Sequence, residues 1–119
     1  MDANTLISEI KRHPQYDRVG MILCHNGVVR GTSRDGRKVS GLKVMVDRQK
    51  LEEILAQYRA VPGIVDIRVH IAADRDLAVG DDVMLLVVAG DIRETVIDVL
   101  TRTLNAIKTT VTAKTEFFV

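Results

Sequence analysis

The sequence of 119 residues contains little of what several classes of protein depend on. A single cysteine, Cys24, excludes an internal disulfide framework and a CxxC metal or redox motif. Aromatic residues make up 3% of the chain and tryptophan is absent, which argues against binding of single-stranded nucleic acid by base stacking. The longest apolar run, residues 83–89, is far shorter than the ~20 residues that a membrane-spanning helix needs. We therefore expect neither a nucleic-acid nor a membrane partner.

A strong charge of either sign is also lacking. There are 17 basic and 16 acidic residues, so the net charge of +1 favours neither nucleic acid nor an anionic membrane. His13, His25 and His70 have no zinc-binding spacing and no cysteine partners, so we expect no metal and no cofactor. The first residues lack the apolar core of a secretion signal, so a cytoplasmic location is expected.

The sequence does contain a regular succession of helix and strand patterns. Apolar residues make up 46% of the chain, enough for one domain over residues 1–119 with a hydrophobic core. Helices are predicted at residues 3–12, 48–59 and 91–107, and strands at 19–29, 39–46, 64–72, 83–90 and 109–119. This order predicts a two-layer α+β fold with a mostly antiparallel sheet and two main helices.

Three local signals refine this prediction. Asn26-Gly27 is typical of either a turn or a bulge within one long strand. The segment "VMLLVVAG", residues 83–90, is apolar on both faces and therefore indicates a central strand. Asp91 followed by Glu94 approximates a capping box, so we expect Asp91 to cap the last helix.

Positive charge is concentrated in a glycine-bearing stretch. The segment "GVVRGTSRDGRKV", residues 27–39, holds Arg30, Arg34, Arg37 and Lys38 between two apolar runs. Composition alone leaves two interpretations open, a solvated basic hairpin or a loop that binds an anion.

Three further cations belong to the last helix and the strand after it. Arg93 lies in the first helical turn, where the helix dipole disfavours a cation, which suggests another purpose. Lys108 lies at the end of that helix, where a cation is favoured. Lys114 belongs to the even-numbered, polar face of the final strand.

The ordered set of motifs resembles the large, catalytic subunit of molybdopterin synthase. The likeness begins with "VGMILCHNGVVRGTSRDGRKVSGLKV", a strand, a G-x-V-R motif, a glycine-bearing loop and the next strand. It continues through "DRQKLEEIL", through "IRVHIAADRDLAVGDDVMLLVVAGDIRETVIDVL" and through the lysine-containing "IKTTVTAKTE". The resemblance implies an α/β hammerhead domain that forms a homodimer.

The resemblance also implies an enzyme of molybdenum cofactor biosynthesis. In that family a small ubiquitin-like partner with a Gly-Gly tail carries a C-terminal thiocarboxylate, and the tail enters a pocket of the large subunit. Sulfur is transferred to cyclic pyranopterin monophosphate, a phosphorylated pterin, giving the dithiolene of molybdopterin.

Site residues follow from matching positions. Lys108 and Lys114 match the family's two catalytic lysines, Arg30 matches the arginine of the G-x-V-R motif, and Arg93 matches the arginine of a His-Arg pair. Substrate binding is accordingly expected from Arg30 and Arg93, joined by Arg34 and Arg37 on the loop.

Two alternatives stay open. Ile92 stands where the family usually has histidine, and the closing segment has neither the family's proline nor its tryptophan. These features favour a non-catalytic homologue that serves as a dimeric binding or regulatory module. Without the resemblance, a ferredoxin-like sensor of small ligands is a third hypothesis.

Overall fold

The computed structural model describes residues 2–119, in which three α-helices pack against two three-stranded antiparallel sheets. The helices are α1 (Ala3–Lys11), α2 (Arg48–Arg59) and α3 (Arg93–Ala106). The strands are β1 (Met21–Val28), β2 (Val39–Val46), β3 (Ile64–Ile71), β4 (Asp76–Ala78), β5 (Asp82–Gly90) and β6 (Thr112–Phe118). The predicted α+β class is confirmed. The expected sheet is divided in two, with strand orders β1-β5-β3 and β4-β2-β6.

Strand β5 is central in its sheet, as its apolar sequence predicts. Its alternating side chains enter two hydrophobic clusters, because neighbours in a strand point to opposite faces. Leu86 and Val88 join the main core with α2 and α3, whereas Leu85 and Val87 pack against α1. These four side chains are essentially inaccessible to solvent, and burial of each stabilises the fold by about 1.5–3 kcal/mol.

The Asn26-Gly27 pair lies inside one continuous strand and does not form a turn. In the β1–β5 ladder Gly27 is opposite Met84, whereas Val28 is opposite Asp82. Val83 is therefore the extra residue of a bulge, so of the two alternatives, turn or bulge, the structure has the bulge, with its additional residue on β5.

The predicted Asp91 cap of α3 is wrong. The N-cap position is Ile92, which has no capping side chain. The Asp91 backbone N–H donates to the Gly63 carbonyl over 2.9 Å, which holds Asp91 at the end of the sheet. Its carboxylate packs against Gly63, where φ is +93° and a Cβ would lie 2.6 Å from Asp91 Oδ1. The hydrogen bond to Gly63, just before β3, therefore keeps Asp91 at the end of the sheet, and the N-cap of the helix lies one residue later than predicted.

The segment between β3 and β5, expected to be a plain connection, contains the short strand β4. Gly41 of β2 and Ala78 of β4 are directly opposite each other. A Cβ at Gly41 would overlap the Leu77 carbonyl oxygen, so glycine is what permits this close approach. Leu77 is buried and lies opposite Leu42 of β2, and β4 forms one edge of the second sheet.

Candidate functional site

A cavity of 330 Å³ lies between the two sheets, and it brings together residues that are distant in sequence. Its walls are apolar, formed by residues of β2, β3 and β5. Its polar groups come from β1, from the glycine-bearing loop and from the C-terminal segment. The lining residues are His25, Gly27, Val28, Arg34, Leu42, Val44, Ile71, Val83, Met84, Lys108, Thr112 and Lys114.

A π-helical turn, Ile107–Val111, joins α3 to β6 and carries Lys108. Ile107 and Val111 are buried and fix the two ends of the turn in the core. Thr109 and Thr110 donate hydroxyl hydrogen bonds of 2.8 Å and 2.6 Å to carbonyls one helical turn earlier, so the widened turn keeps these acceptors satisfied. Insertions of this kind occur frequently at functional sites. Here the turn places Lys108 at the cavity.

Strand β6 presents Lys114 to the same cavity. Lys114 is directly opposite Val44 of β2, and Thr112 is opposite Val46, so Lys114 and Thr112 share the face that the cavity-lining Val44 occupies. The Lys114 Nζ lies 4.0 Å from the Glu116 carboxylate on that face. The even-numbered polar face expected from the sequence is therefore the cavity face.

His25 also lines the cavity, although its sequence spacing matches no metal-binding motif and did not single it out as a site residue. It follows Met21 and Leu23 in the alternation of β1, and those two residues pack on the main core while Ile22 and Cys24 pack towards α1. The same alternation, read from the sequence, could have placed His25 on the inner face. Partial burial, with a further contribution from the charge of Lys108, lowers the pKa of His25.

The glycine-bearing loop is an ordered hairpin, and Arg34 is its contribution to the cavity. The Ser33 N–H donates to the Arg37 carbonyl over 2.9 Å, and Gly36, with φ of +88°, supplies the left-handed residue of the turn. Ser33 is buried, and its hydroxyl bonds the Asp35 carboxylate. This hydrogen bond, followed by those from the Arg37 side of the turn, lowers the pKa of Asp35.

The other arginines expected at the site do not line this cavity within one chain. Arg30 Nε donates to the Thr32 carbonyl over 2.8 Å, so its guanidinium is turned to its own loop. Arg37 stacks on the Phe118 ring, with 3.7 Å from the guanidinium carbon to the ring centroid. Arg93 is exposed and pairs with Glu94. Lys108, Lys114 and Arg34 therefore converge, whereas Arg30, Arg37 and Arg93 do not.

A second depression, of 410 Å³, is lined by His70, Arg75, Asp76 and Asp81 among others. Asp81 accepts a hydrogen bond of 2.8 Å from the Ala78 N–H, which is turn chemistry. Over residues 2–119 there is no group of three or more histidine, cysteine or acidic side chains arranged to hold a metal ion. No helix in the same range is long and apolar enough to cross a bilayer.

The profile of the MoaE protein family matches residues 1–110 of this chain. The chain belongs to the MoaE protein family. Membership places it in molybdenum cofactor biosynthesis, as the resemblance implied. Among curated proteins, none matches the chain significantly.

Solved structures share the MoaE fold. Molybdopterin cofactor biosynthesis protein E from Burkholderia multivorans is 22% identical, with a TM-score of 0.77, covering 100% of this chain and 84% of its own. Molybdopterin synthase from Staphylococcus aureus is 20% identical, with a TM-score of 0.74 and coverages of 88% and 83%. A complex of subunits 1 and 2 of molybdopterin-converting factor from Helicobacter pylori contains a chain 15% identical, with a TM-score of 0.72 and coverages of 99% and 84%.

Proposed function

We propose that this MoaE protein is the catalytic subunit of a molybdopterin synthase. It transfers sulfur from the C-terminal thiocarboxylate of a small ubiquitin-like carrier to cyclic pyranopterin monophosphate. The observation that supports this most directly is the convergence of Lys108, Lys114 and Arg34 on one cavity. A π-helical turn and a strand, which are unrelated local structures, direct the two lysines to the same volume.

The cavity suits the charges of these reactants. A thiocarboxylate and a phosphate are both anions, and lysine and arginine side chains are their ordinary partners in proteins. Arg34, on the hairpin, is suited to the phosphate, because a guanidinium can donate two parallel hydrogen bonds to it. Lys108 and Lys114 are movable point charges that stabilise negative charge on the thiocarboxylate as the sulfur leaves. The apolar walls of β2 and β5 lower the local dielectric on one side of these groups, which strengthens the interactions.

The proposal includes two protein partners. The carrier's Gly-Gly tail has no side chains, so its narrow backbone suits entry into a cavity lined by Lys108 and Lys114. The complex of two molybdopterin-converting factor subunits from Helicobacter pylori supports a partner of this kind. We further propose that the protein works as a homodimer in the cytoplasm, where a second copy is able to bring Arg30 or Arg93 to the site.

The experiment is a reconstituted assay of dithiolene formation. It uses cyclic pyranopterin monophosphate and a ubiquitin-like carrier whose Gly-Gly terminus has been converted to a thiocarboxylate. Lys108→Met should lower kcat/KM by about 100-fold, the usual scale for removing one group that stabilises developing charge. Lys50→Met, an exposed lysine of α2 outside the cavity, is the matched control and should match wild type. Full activity in Lys108→Met would show that the site is wrongly assigned.

One observation favours a second candidate function. Arg30 and Arg93 do not line the cavity, and each is already bonded within its own segment. A dimeric module that binds the carrier or the pterin without turnover would tolerate this arrangement. Isothermal titration with the thiocarboxylated carrier and with the pterin distinguishes the two functions, because binding at micromolar concentration without any sulfur transfer supports the module.

A further inference from the structure

The polar groups of the cavity are mostly hydrogen-bond donors. Arg34 carries a guanidinium, and Lys108 and Lys114 carry ammonium groups, none of which has an acceptor lone pair in its charged form. The Thr112 hydroxyl accepts hydrogen bonds but not a proton at neutral pH. Among the described residues that line the cavity, His25 is therefore the side chain able to take up a proton.

The backbone around His25 leaves its imidazole open to the cavity. Gly27 lies two residues further along β1, on the same face, and a Cβ at that position would stand 3.3 Å from His25 Nε2. Because Gly27 has no side chain, the Nε2 edge of the His25 imidazole is left uncovered at this point. Within residues 2–119, neither imidazole nitrogen of His25 has a hydrogen-bond partner, in contrast to His13, whose Nδ1 accepts from the Gln15 N–H.

The charges around His25 keep it neutral. Burial is the main cause of its lowered pKa, and the positive charge of Lys108 is the second. Arg34 from the hairpin and Lys114 from β6 are the other cations that line the same cavity, and no carboxylate is among its lining residues in the described part of the chain. At neutral pH the side chain therefore presents one free lone pair, which is the form that a general base requires.

We propose that His25 is the proton acceptor of the sulfur-transfer site. The inference rests on the proposed function. The thiocarboxylate sulfur forms a bond to a pterin carbon as that carbon's bond to an oxygen of the cyclic phosphate breaks. The electron pair leaves with the phosphate oxygen beside Arg34, and the carrier's acyl group and the pterin become joined as a thioester. His25 takes a proton from the water that attacks the acyl carbon. The acyl C–O bond forms and the acyl C–S bond breaks. The carrier leaves with a carboxyl group, and sulfur remains on the pterin as a thiolate beside Lys108 and Lys114.

The first test follows this thioester in a single turnover. Wild type and His25→Gln are mixed with the thiocarboxylated carrier and cyclic pyranopterin monophosphate, quenched, and analysed by mass spectrometry of the intact carrier. His25→Gln should break down the carrier–pterin adduct about 100-fold more slowly, as expected for loss of a general base, so that the adduct accumulates. His70→Gln is the control, because His70 is also a half-buried histidine with a lowered pKa but lines the other depression.

The pH dependence separates proton uptake from a structural role. The breakdown rate in wild type should rise with pH through the pKa of His25, which lies below the ordinary value of about 6.5, and then level off. In His25→Gln this inflection should be absent, whereas His70→Gln should retain it. Equal rates and equal pH profiles in wild type and His25→Gln would overturn the inference and leave the proposed function intact.

A second measurement does not depend on turnover. NMR titration of the imidazole should give His25 a pKa below about 6.5 in wild type, rising in Lys108→Met. An imidazole of His25 that is mostly protonated at neutral pH in wild type would overturn the inference whatever the activity. If wild type transfers no sulfur, the proposed function fails and the acceptor role fails with it.

Discussion

Replacing Lys114 by methionine should abolish most activity while leaving the fold as stable as wild type. The unchanged stability is expected from the surroundings of the Lys114 side chain. Its side chain is 56% exposed, and its ion pair with Glu116 is 4.0 Å long. Exposed pairs of this kind stabilise a protein by at most about 0.5 kcal/mol, so the midpoint of urea unfolding should hardly move.

The loss of activity is expected from the position of Lys114 on the cavity wall. A charge ~5 Å from the reacting anion contributes about 3 kcal/mol at an effective dielectric of 20, and partial exposure reduces this to about 2 kcal/mol. That energy corresponds to a fall in kcat/KM of about 30-fold. The assay is dithiolene formation with the thiocarboxylated carrier, measured on protein whose urea unfolding midpoint has been checked.

Lys43→Met is the matched control. Lys43 is opposite Thr115 on the same pair of strands, so it lies on the other face of the sheet from Lys114 and Val44. It should retain wild-type activity. A folded Lys114→Met that keeps kcat/KM within threefold of wild type would refute the cavity as the site of sulfur transfer.

Two further predictions concern stability, each measured by urea unfolding. Asp66→Ala should lower the free energy of unfolding by about 2 kcal/mol, because the buried carboxylate accepts from Arg68 Nε over 2.7 Å and from the Ile67 N–H over 2.8 Å. Glu9→Gln, at the more accessible end of the same network, where the Arg68–Glu9 distance is 3.4 Å, should cost less than about 0.5 kcal/mol, and equal effects would contradict this ranking. Thr103→Val should raise stability by about 1 kcal/mol, because the buried Thr103 hydroxyl has no partner within residues 2–119; a loss would contradict that reading.

The order of helices and strands is predictable from the sequence because it depends on local periodicity. The alternation of β2 and the two apolar faces of β5 are properties of short windows, and the structure has both strands where they are expected. The division into two sheets is not such a property. It depends on the pairing of β4 with β2, which needs the space left by Gly41, and a three-residue strand has too short a pattern to recognise.

The residues of the candidate site likewise fall into those that the sequence predicts and those whose position depends on tertiary contacts. Lys108 and Lys114 were placed by motif order, and the structure brings them together. The side-chain directions of Arg30 and Arg93 depend on a particular carbonyl and a particular carboxylate, and a sequence motif contains neither. The inward direction of His25 is predictable from the sequence, because it follows the alternation of Met21 and Leu23 in β1. Metal-binding spacing does not reveal it, because no second histidine or cysteine stands at a metal-ligand spacing from His25.

The π-helical turn explains how the two lysines reach one cavity. Lys108 and Lys114 are separated by a helix end and a strand start, and side chains in a strand reverse face with every residue. The direction of Lys114 therefore depends on how many residues the turn holds. Five residues, Ile107–Val111, occupy it, and its hydroxyl hydrogen bonds from Thr109 and Thr110 satisfy the carbonyls that the wider turn leaves. With Val111 buried at its end, Thr112 and Lys114 both face the cavity. The five-residue length of the turn is thus what allows Lys108 and Lys114 to line the same cavity.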